Sequence, residues 1–552
     1  MDSGLSEANG RMSRDGAVGD RVARILFSRQ LIFVLLGLGT VLRIAQYASN
    51  RSIWFDEALI ALNLMDRPLS GLTGTLDFNQ GAPLGFLFIE HFMTSAFGFS
   101  EYVLRLFPLV AGIASLFLFA ALAKRVLVAL AVPLALFLFV VADQLIYYSS
   151  EVKPYSGDVA VSLLLLLLAI VLAERPLTRT RALGVSAAGG ICVLLSNAAV
   201  FVVAAVGLVL IIEAVALSRW ADLRSRVSTI SLWVVGAIGA IVFAVTRLSH
   251  VRESLGGGGN GAFLGTPNSS SWMDLYWVKR LGTDLAAAIG FSQSQPYAQI
   301  EKLAAAVAVV GILSLFLRNK TRCAMLLLPF GLTLIASALD RYPLSLRTTL
   351  FLAPLVVLFI AEGLVRVTTR IRPPWGSIAG VFLATLILAF PAWSAVRHLV
   401  RPQEKEEIKP VLRYVRDHWR SGDTLYVHPS AQYALRYYVE CGCLRLVRRH
   451  DRRPLWPLNA ASGGVDQHAV ALRSRSPDVI VGRYHGTQLD RYLTDLGLLR
   501  GRPRVWVLSS HADDEREVTF LTRDVPRYLD SIGRRLEEAD ATGARAYLYD
   551  LR

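Results

Sequence analysis

Apolar residues along this chain gather into runs that recur until about Ala395 and then stop, on the scale of the roughly 20 residues a helix needs to cross a hydrocarbon core about 30 Å thick. The runs predict spans over residues 31–48, 104–123, 127–147, 159–173, 182–195, 198–217, 230–245, 303–317, 324–339, 350–365 and 378–393. Segment 84–99 is apolar enough to cross but carries Glu90 and His91 at its centre. If it crossed, Lys124 and Arg125 would fall outside; lying in the interface, it leaves them inside with the other basic connections. The interfacial placement is therefore expected, giving about eleven spans.

Arg11, Arg14, Arg21, Arg24 and Arg29 precede the first run and fix the N-terminus in the cytoplasm. Residues 1–28 are polar and read as a disordered cytoplasmic segment, and the run after them is long enough to stay as a helix rather than be a cleaved signal. Residues 29–396 form the membrane domain. From about residue 397 the pattern changes to helical spacing over 408–419 and 431–438, alternating with short apolar strands over 423–427, 477–482 and 504–508. That alternation predicts a soluble α/β domain over 397–552, on the outer side.

Composition agrees: of 552 residues, 53% are hydrophobic and only 18% charged, which excludes an ordinary soluble protein. The formal net charge of +15 raises the question of nucleic acid. The arginines, however, lie in the short connections and the tail without an aromatic-interleaved basic motif, so topology explains them and no nucleic-acid partner is expected. Four cysteines do not make a disulfide framework. Cys192 and Cys323 read as small apolar packing, and Cys441 and Cys443 stand too close together for an easy bridge.

Candidate chemistry collects in the outer connections. Trp54-Phe55-Asp56-Glu57-Ala58 sets two carboxylates just beyond the first span, where they can serve as a base or simply cap the following helix. Glu151-Val152-Lys153-Pro154-Tyr155 is either part of a site or an interfacial anchor with a snorkelling lysine. Asp340-Arg341-Tyr342 with Arg347, and His250 before a glycine-rich loop, complete the set. All four stretches emerge on the same face. Together they would supply carboxylates, cations and aromatic walls, the combination that a lipid-linked phosphate and a sugar require.

The order of these signals resembles the GT-C glycosyltransferases, in the group of protein O-mannosyltransferases, lipid A aminoarabinose transferase and rhizobial galacturonosyltransferases. The pieces that carry it are Asp56-Glu57, Gly81-Ala82-Pro83-Leu84, Phe97-Gly98-Phe99-Ser100-Glu101, Arg105-Leu106-Phe107-Pro108, the stretch from Tyr148 to Tyr155, and that from Arg347 to Pro354. They span roughly the first 365 residues. The turn at Ser196-Asn197 lacks the histidine–aromatic pattern of many members.

The resemblance implies a polytopic α-helical enzyme in a bacterial inner membrane. It would move a sugar from a polyprenyl-phosphate donor to an envelope glycan, lipid or protein acceptor, with inversion, on the outer face. It implies Asp56 as base with Glu57 supporting it, and Lys153 and Arg347, with Arg341 as a weaker third, holding the donor phosphate. Trp54, Glu151, Tyr155, Tyr342 and His250 would line the pocket. No cofactor is certain; a divalent metal (Mg or Mn) near the acids stays open. The rivals are a lipid or sugar transporter, which should carry ionisable residues mid-span and a repeat that is not visible here, and a non-catalytic envelope assembly protein.

Overall fold

A computed structural model describes residues 29–174, 179–216, 276–291, 297–339, 341–372, 375–446, 456, 478–483, 489–512 and 514–552. The chain divides into two compact units. One comprises 1–48, 82–86 and 107–402; the other comprises 49–81, 87–106 and 403–552. Each is described separately.

The first unit is a helix bundle. Among the described residues, seven helices are long and apolar enough to cross a membrane, or up to eight if the pair Ala131–Val141 and Asp143–Ser150, bent by 59°, is one span. The eleven expected spans are thus not all recovered. Runs 182–195 and 198–217 form the helices Arg179–Leu195 and Ala199–Ala216, which are not among the seven. Run 230–245 and the glycine-rich loop lie outside the described residues. The helix Leu84–Phe97 has 14 residues, hence a length of about 21 Å, too short for a hydrocarbon core of about 30 Å.

Leu350–Arg370 is the bundle's central helix, with 83% of its most apolar window buried, against 17% for the peripheral Trp375–Val400. The peripheral helices turn bare Val381, Phe382 and Leu317 outward, as a lipid-facing surface would. Tyr297–Arg318 crosses the central helix at two glycines. A Cβ added to Gly311 would lie 1.9 Å from the Phe359 carbonyl oxygen, and one on Gly363 would lie 1.9 Å from that of Val307. Any side chain there pushes two backbones apart, the small-residue contact that lets membrane helices approach closely. Gly363→Ala should therefore lower the thermal unfolding midpoint in detergent, at a cost of about 1–3 kcal/mol or more. Gly37→Ala, where a Cβ meets nothing within 4 Å, should leave it unchanged.

The basic connections meet at one end of this bundle. Arg322 pairs with Glu174 at 2.9 Å and donates to the Arg125 carbonyl at 2.6 Å. Arg318 donates to the Val126 carbonyl and pairs with the buried Glu362 at 3.2 Å, which also accepts from Ser314 at 3.0 Å. Three connections predicted on one side thus share one end. Glu362 itself lies inside a span, as does Arg43, whose guanidinium is buried over Phe139 and donates to the Gly39 carbonyl at 3.1 Å. Ionisable groups are therefore not confined to the outer helix ends, as the sequence had indicated.

In the second unit, three parallel strands, β1 (Thr424–Val427), β2 (Val479–Val481) and β3 (Val505–Ser510), match the predicted strands, and the hairpin β4 (Arg534–Ala541) and β5 (Ala544–Asp550) extends the sheet antiparallel. The strand order is β2-β1-β3-β5-β4. The predicted helices appear as Ile408–His418 and Ala431–Glu440. Cys441 and Cys443 form a disulfide, correcting the expectation that their spacing disfavours one: the left-handed Gly442 between them (φ +67°) accommodates the tight turn.

Candidate functional site

The helix Phe55–Asp66 begins inside the acidic motif, so Asp56 and Glu57 both occupy its first turn, where negative charge faces the helix's positive end. Their surroundings differ. Asp56 is partly exposed, whereas Glu57 is fully buried. Glu57 meets Arg105 as a two-pronged pair: Nε donates to Oε1 at 3.0 Å and Nη2 to Oε2 at 2.6 Å. Glu57 also accepts from the Trp54 backbone N–H at 3.4 Å, so it caps the helix, as the rival reading of the motif asked. Arg105 also donates from Nη1 to the carbonyl of Arg51 at 2.7 Å and from Nη2 to that of Ser52 at 3.0 Å. The result is a guanidinium that fixes both the helix start and the strand-like approach to it.

Trp54, the residue before the helix, lies under the ammonium of Lys405 at 3.8 Å from the ring centroid. Phe55 stacks on His511 at 4.3 Å and meets Tyr433 edge-on at 5.4 Å. Asp56 is thus the member of Trp54–Glu57 that combines an ionisable carboxylate with access to solvent.

Other sequence-predicted residues belong to the bundle unit. Glu151 and Lys153 are buried, at 0% and 5% exposure, in a tight turn where the Lys153 N–H donates to the Glu151 carbonyl at 2.7 Å. A buried ammonium does not reach out to water as a snorkelling anchor would. Tyr155 opens the helix Tyr155–Ala173 with its ring edge-on to Tyr148 at 5.2 Å. Tyr342 is buried, packs on Phe201 at 4.8 Å and donates its hydroxyl to the Thr348 carbonyl at 2.8 Å. Arg347 is half-buried and Arg341 exposed. His250 lies outside the described residues.

One acid went unnoticed in the sequence. Asp158, in the first turn of Tyr155–Ala173, is buried, hydrogen-bonds to the Ser196 hydroxyl and lies close enough to Tyr342 to interact electrostatically, as does Tyr155. Its Oδ1 has no hydrogen-bond partner among the described residues. The available signal was a carboxylate immediately before an apolar run, in the first turn of the helix that carries it. Ser196 stands in the turn that lacks the histidine–aromatic pattern, and Asp158 reaches it from the helix Tyr155–Ala173.

For a metal, the fit is poor: among the described residues no group of three or more His, Cys, Asp or Glu is placed to hold an ion, and Glu57 already has its oxygens engaged by Arg105.

No protein-family model matches the sequence, and no curated protein does. Solved structures do match. ArnT from Cupriavidus metallidurans bound to undecaprenyl phosphate aligns over 94% of this chain and 98% of its own, with TM-score 0.53 and 12% identity. The same protein in the apo state aligns over the same shares, with TM-score 0.50 and 13% identity. The oligosaccharyltransferase AglB from Archaeoglobus fulgidus, in complex with an inhibitory peptide and a dolichol-phosphate, aligns over 94% of this chain and 74% of its own, with TM-score 0.47 and 12% identity. The chain has the GT-C fold of the aminoarabinose transferase.

Proposed function

We propose, from a GT-C fold shared with ArnT over nearly the whole chain, that this protein is a membrane glycosyltransferase with a polyprenyl-phosphate-linked sugar as donor. The acceptor is an envelope glycan, lipid or protein, and transfer takes place on the outer face of a bacterial inner membrane. The observation that carries the reading is the alignment, end to end, with a transferase whose structure holds undecaprenyl phosphate. The disulfide Cys441–Cys443 supports an oxidising, extracytoplasmic setting for the α/β domain. The gathering of Arg125, Arg318 and Arg322 at one end of the bundle supports a cytoplasmic face there.

In this reading the acceptor hydroxyl attacks the anomeric carbon while Asp56 takes its proton. The new C–O bond forms as the bond from that carbon to the phosphate oxygen breaks, inverting the centre, and polyprenyl phosphate departs with the electron pair. Phosphate is already a good leaving group, so holding and neutralising it matters more than protonating it. Lys153 and Arg347 do this, with Arg341 at the surface a lesser contributor. Glu151, Tyr155 and Tyr342 shape the donor side, His250 is kept as a further lining residue, and Trp54 offers an aromatic face to a sugar ring. Glu57 acts through Arg105 rather than on the acceptor.

The test is turnover by purified protein of a labelled polyprenyl-phosphate sugar, followed as released polyprenyl phosphate and glycosylated acceptor. A nucleotide sugar in its place should give no product. Lys153→Ala should lower kcat/KM for the donor by about 10²–10³, the usual cost of one missing charge-stabilising group. Movement of the intact donor across proteoliposomes without transfer would favour the transporter instead.

A further inference from the structure

The stretch 50–55 leads from the first bundle helix to Asp56 without belonging to any helix or strand until Phe55. Arg51, Ser52 and Ile53 are nevertheless buried. Buried backbone groups need partners, and a segment outside regular structure must find them among side chains. Four successive amides do so. Ser52 N–H donates to Glu407 Oε1 at 2.8 Å and Ile53 N–H to the Tyr438 hydroxyl at 2.8 Å. Trp54 N–H donates to Glu57, and Phe55 N–H to Glu406 Oε2 at 3.0 Å. Three of these four acceptors come from the C-terminal part of the chain, more than 350 residues away.

Further bonds brace them. The Ser52 hydroxyl donates to Glu407 Oε2 at 2.8 Å and accepts from the Lys409 N–H at 3.0 Å, while the Lys409 ammonium donates to the Asn50 carbonyl and pairs with Glu101 at 2.9 Å. The Tyr438 hydroxyl, besides accepting from Ile53, donates to Glu101 at 2.8 Å. Glu406 is held from behind by His511 at 2.6 Å. The β4–β5 turn fixes this strip in turn: the Glu407 N–H donates to the Thr542 carbonyl at 2.6 Å, and left-handed Gly543 sits where a Cβ would meet the Lys405 carbonyl oxygen at 2.3 Å.

We infer that the C-terminal α/β region is the jig that sets the backbone in front of Asp56, with Glu406, Glu407, Lys409 and Tyr438 as positioning residues for the proton-accepting carboxylate. This rests on the reading of Asp56 as base. The region then needs no contact with donor or acceptor to be required for transfer. Two glutamates and a tyrosine of this region take the amides of residues 52, 53 and 55, adding to the bonds that Arg105 makes to the carbonyls of Arg51 and Ser52, and together these hold the segment in a single shape. A base displaced by about 1 Å costs on the order of 10²-fold in rate, so the jig acts on kcat and leaves donor affinity alone.

The experiment combines amide hydrogen exchange with kinetics on the full-length protein in detergent. In the wild type, amides 52, 53 and 55 should exchange slowly despite lying outside regular structure. Tyr438→Phe and Glu407→Ala should each speed exchange in the 50–55 peptide by about tenfold, the equivalent of one lost hydrogen bond, while peptides from β3 and β5 stay protected. In the same variants kcat should fall about tenfold or more with the donor KM unchanged. Glu407→Gln, whose amide oxygen can still accept from Ser52 N–H, should recover most of both. Faster exchange at 50–55 with wild-type kcat would overturn the inference, as would a kcat loss that appears only together with lost protection in β3 and β5. Asp56→Asn separates this from the base assignment: it should slow transfer by at least about 10²-fold while leaving exchange at 50–55 as in the wild type. Transfer at the wild-type rate in Asp56→Asn overturns the base assignment, whatever the exchange shows.

Discussion

Arg105→Met should cost about 3–5 kcal/mol of stability, the penalty for breaking a buried ion pair from one side. The side chain is one of the most buried in the protein, and its removal leaves Glu57 charged, at 0% exposure, without a cation. It also strips donors from the carbonyls of Arg51 and Ser52, on the approach to Asp56. A thermal melt in detergent should therefore shift well below that of the wild type, and transfer should be lost even in the fraction that stays folded. The double variant Arg105→Met with Glu57→Met separates the two effects. Replacing both charges with apolar side chains of similar length should recover much of the stability, because a buried pair contributes less than its rupture costs. It should not recover transfer, because the two carbonyls still lack their donors. Recovery of both would reduce the pair to a packing element.

The sequence carried the broad architecture well. Long apolar runs and the basic residues between them are properties of composition and order, and physical chemistry ties both to membrane helices. Strands β1, β2 and β3 were readable because burial makes them continuous apolar stretches. The hairpin strand β4, Arg-Arg-Leu-Glu-Glu-Ala-Asp-Ala, was not, because an edge strand with an exposed face needs few apolar residues. The predicted runs 182–195 and 198–217 fall on the helices Arg179–Leu195 and Ala199–Ala216, of 17 and 18 residues.

The site was legible only as a set of residue types. Asp56 and Glu57 look alike in sequence, and what separates them is Arg105, 48 positions away. In the sequence Arg105 stands only in the Arg105-Leu106-Phe107-Pro108 stretch, with nothing nearby to mark Glu57 as its partner. Glu406, Glu407 and Tyr438 gave no signal at all, since acids and a tyrosine in a soluble domain read as an ordinary solvated surface. Asp158 was overlooked for a local reason. Beside Tyr155, Ser156 and Gly157 it reads as a helix start, and only the fold brings it to Ser196 and Tyr342.

Asp56→Asn should reduce transfer by about 10²–10⁴, the range for loss of a positioned general base. The substitution is nearly isosteric and sits at a partly exposed position in the first turn of a helix, where asparagine is tolerated, so the fold should survive it. Glu57 cannot take over, since its oxygens are held by Arg105 and the Trp54 amide. Donor affinity should stay at the wild-type level, because the proposed phosphate ligands Lys153 and Arg347 are untouched. The decisive measurement is single-turnover transfer from a labelled polyprenyl-phosphate sugar to an envelope acceptor, with purified wild type and Asp56→Asn compared at saturating donor. Product formed by the wild type, and slower by at least about 10²-fold in Asp56→Asn, is the predicted result; equal rates in the two proteins would contradict the account.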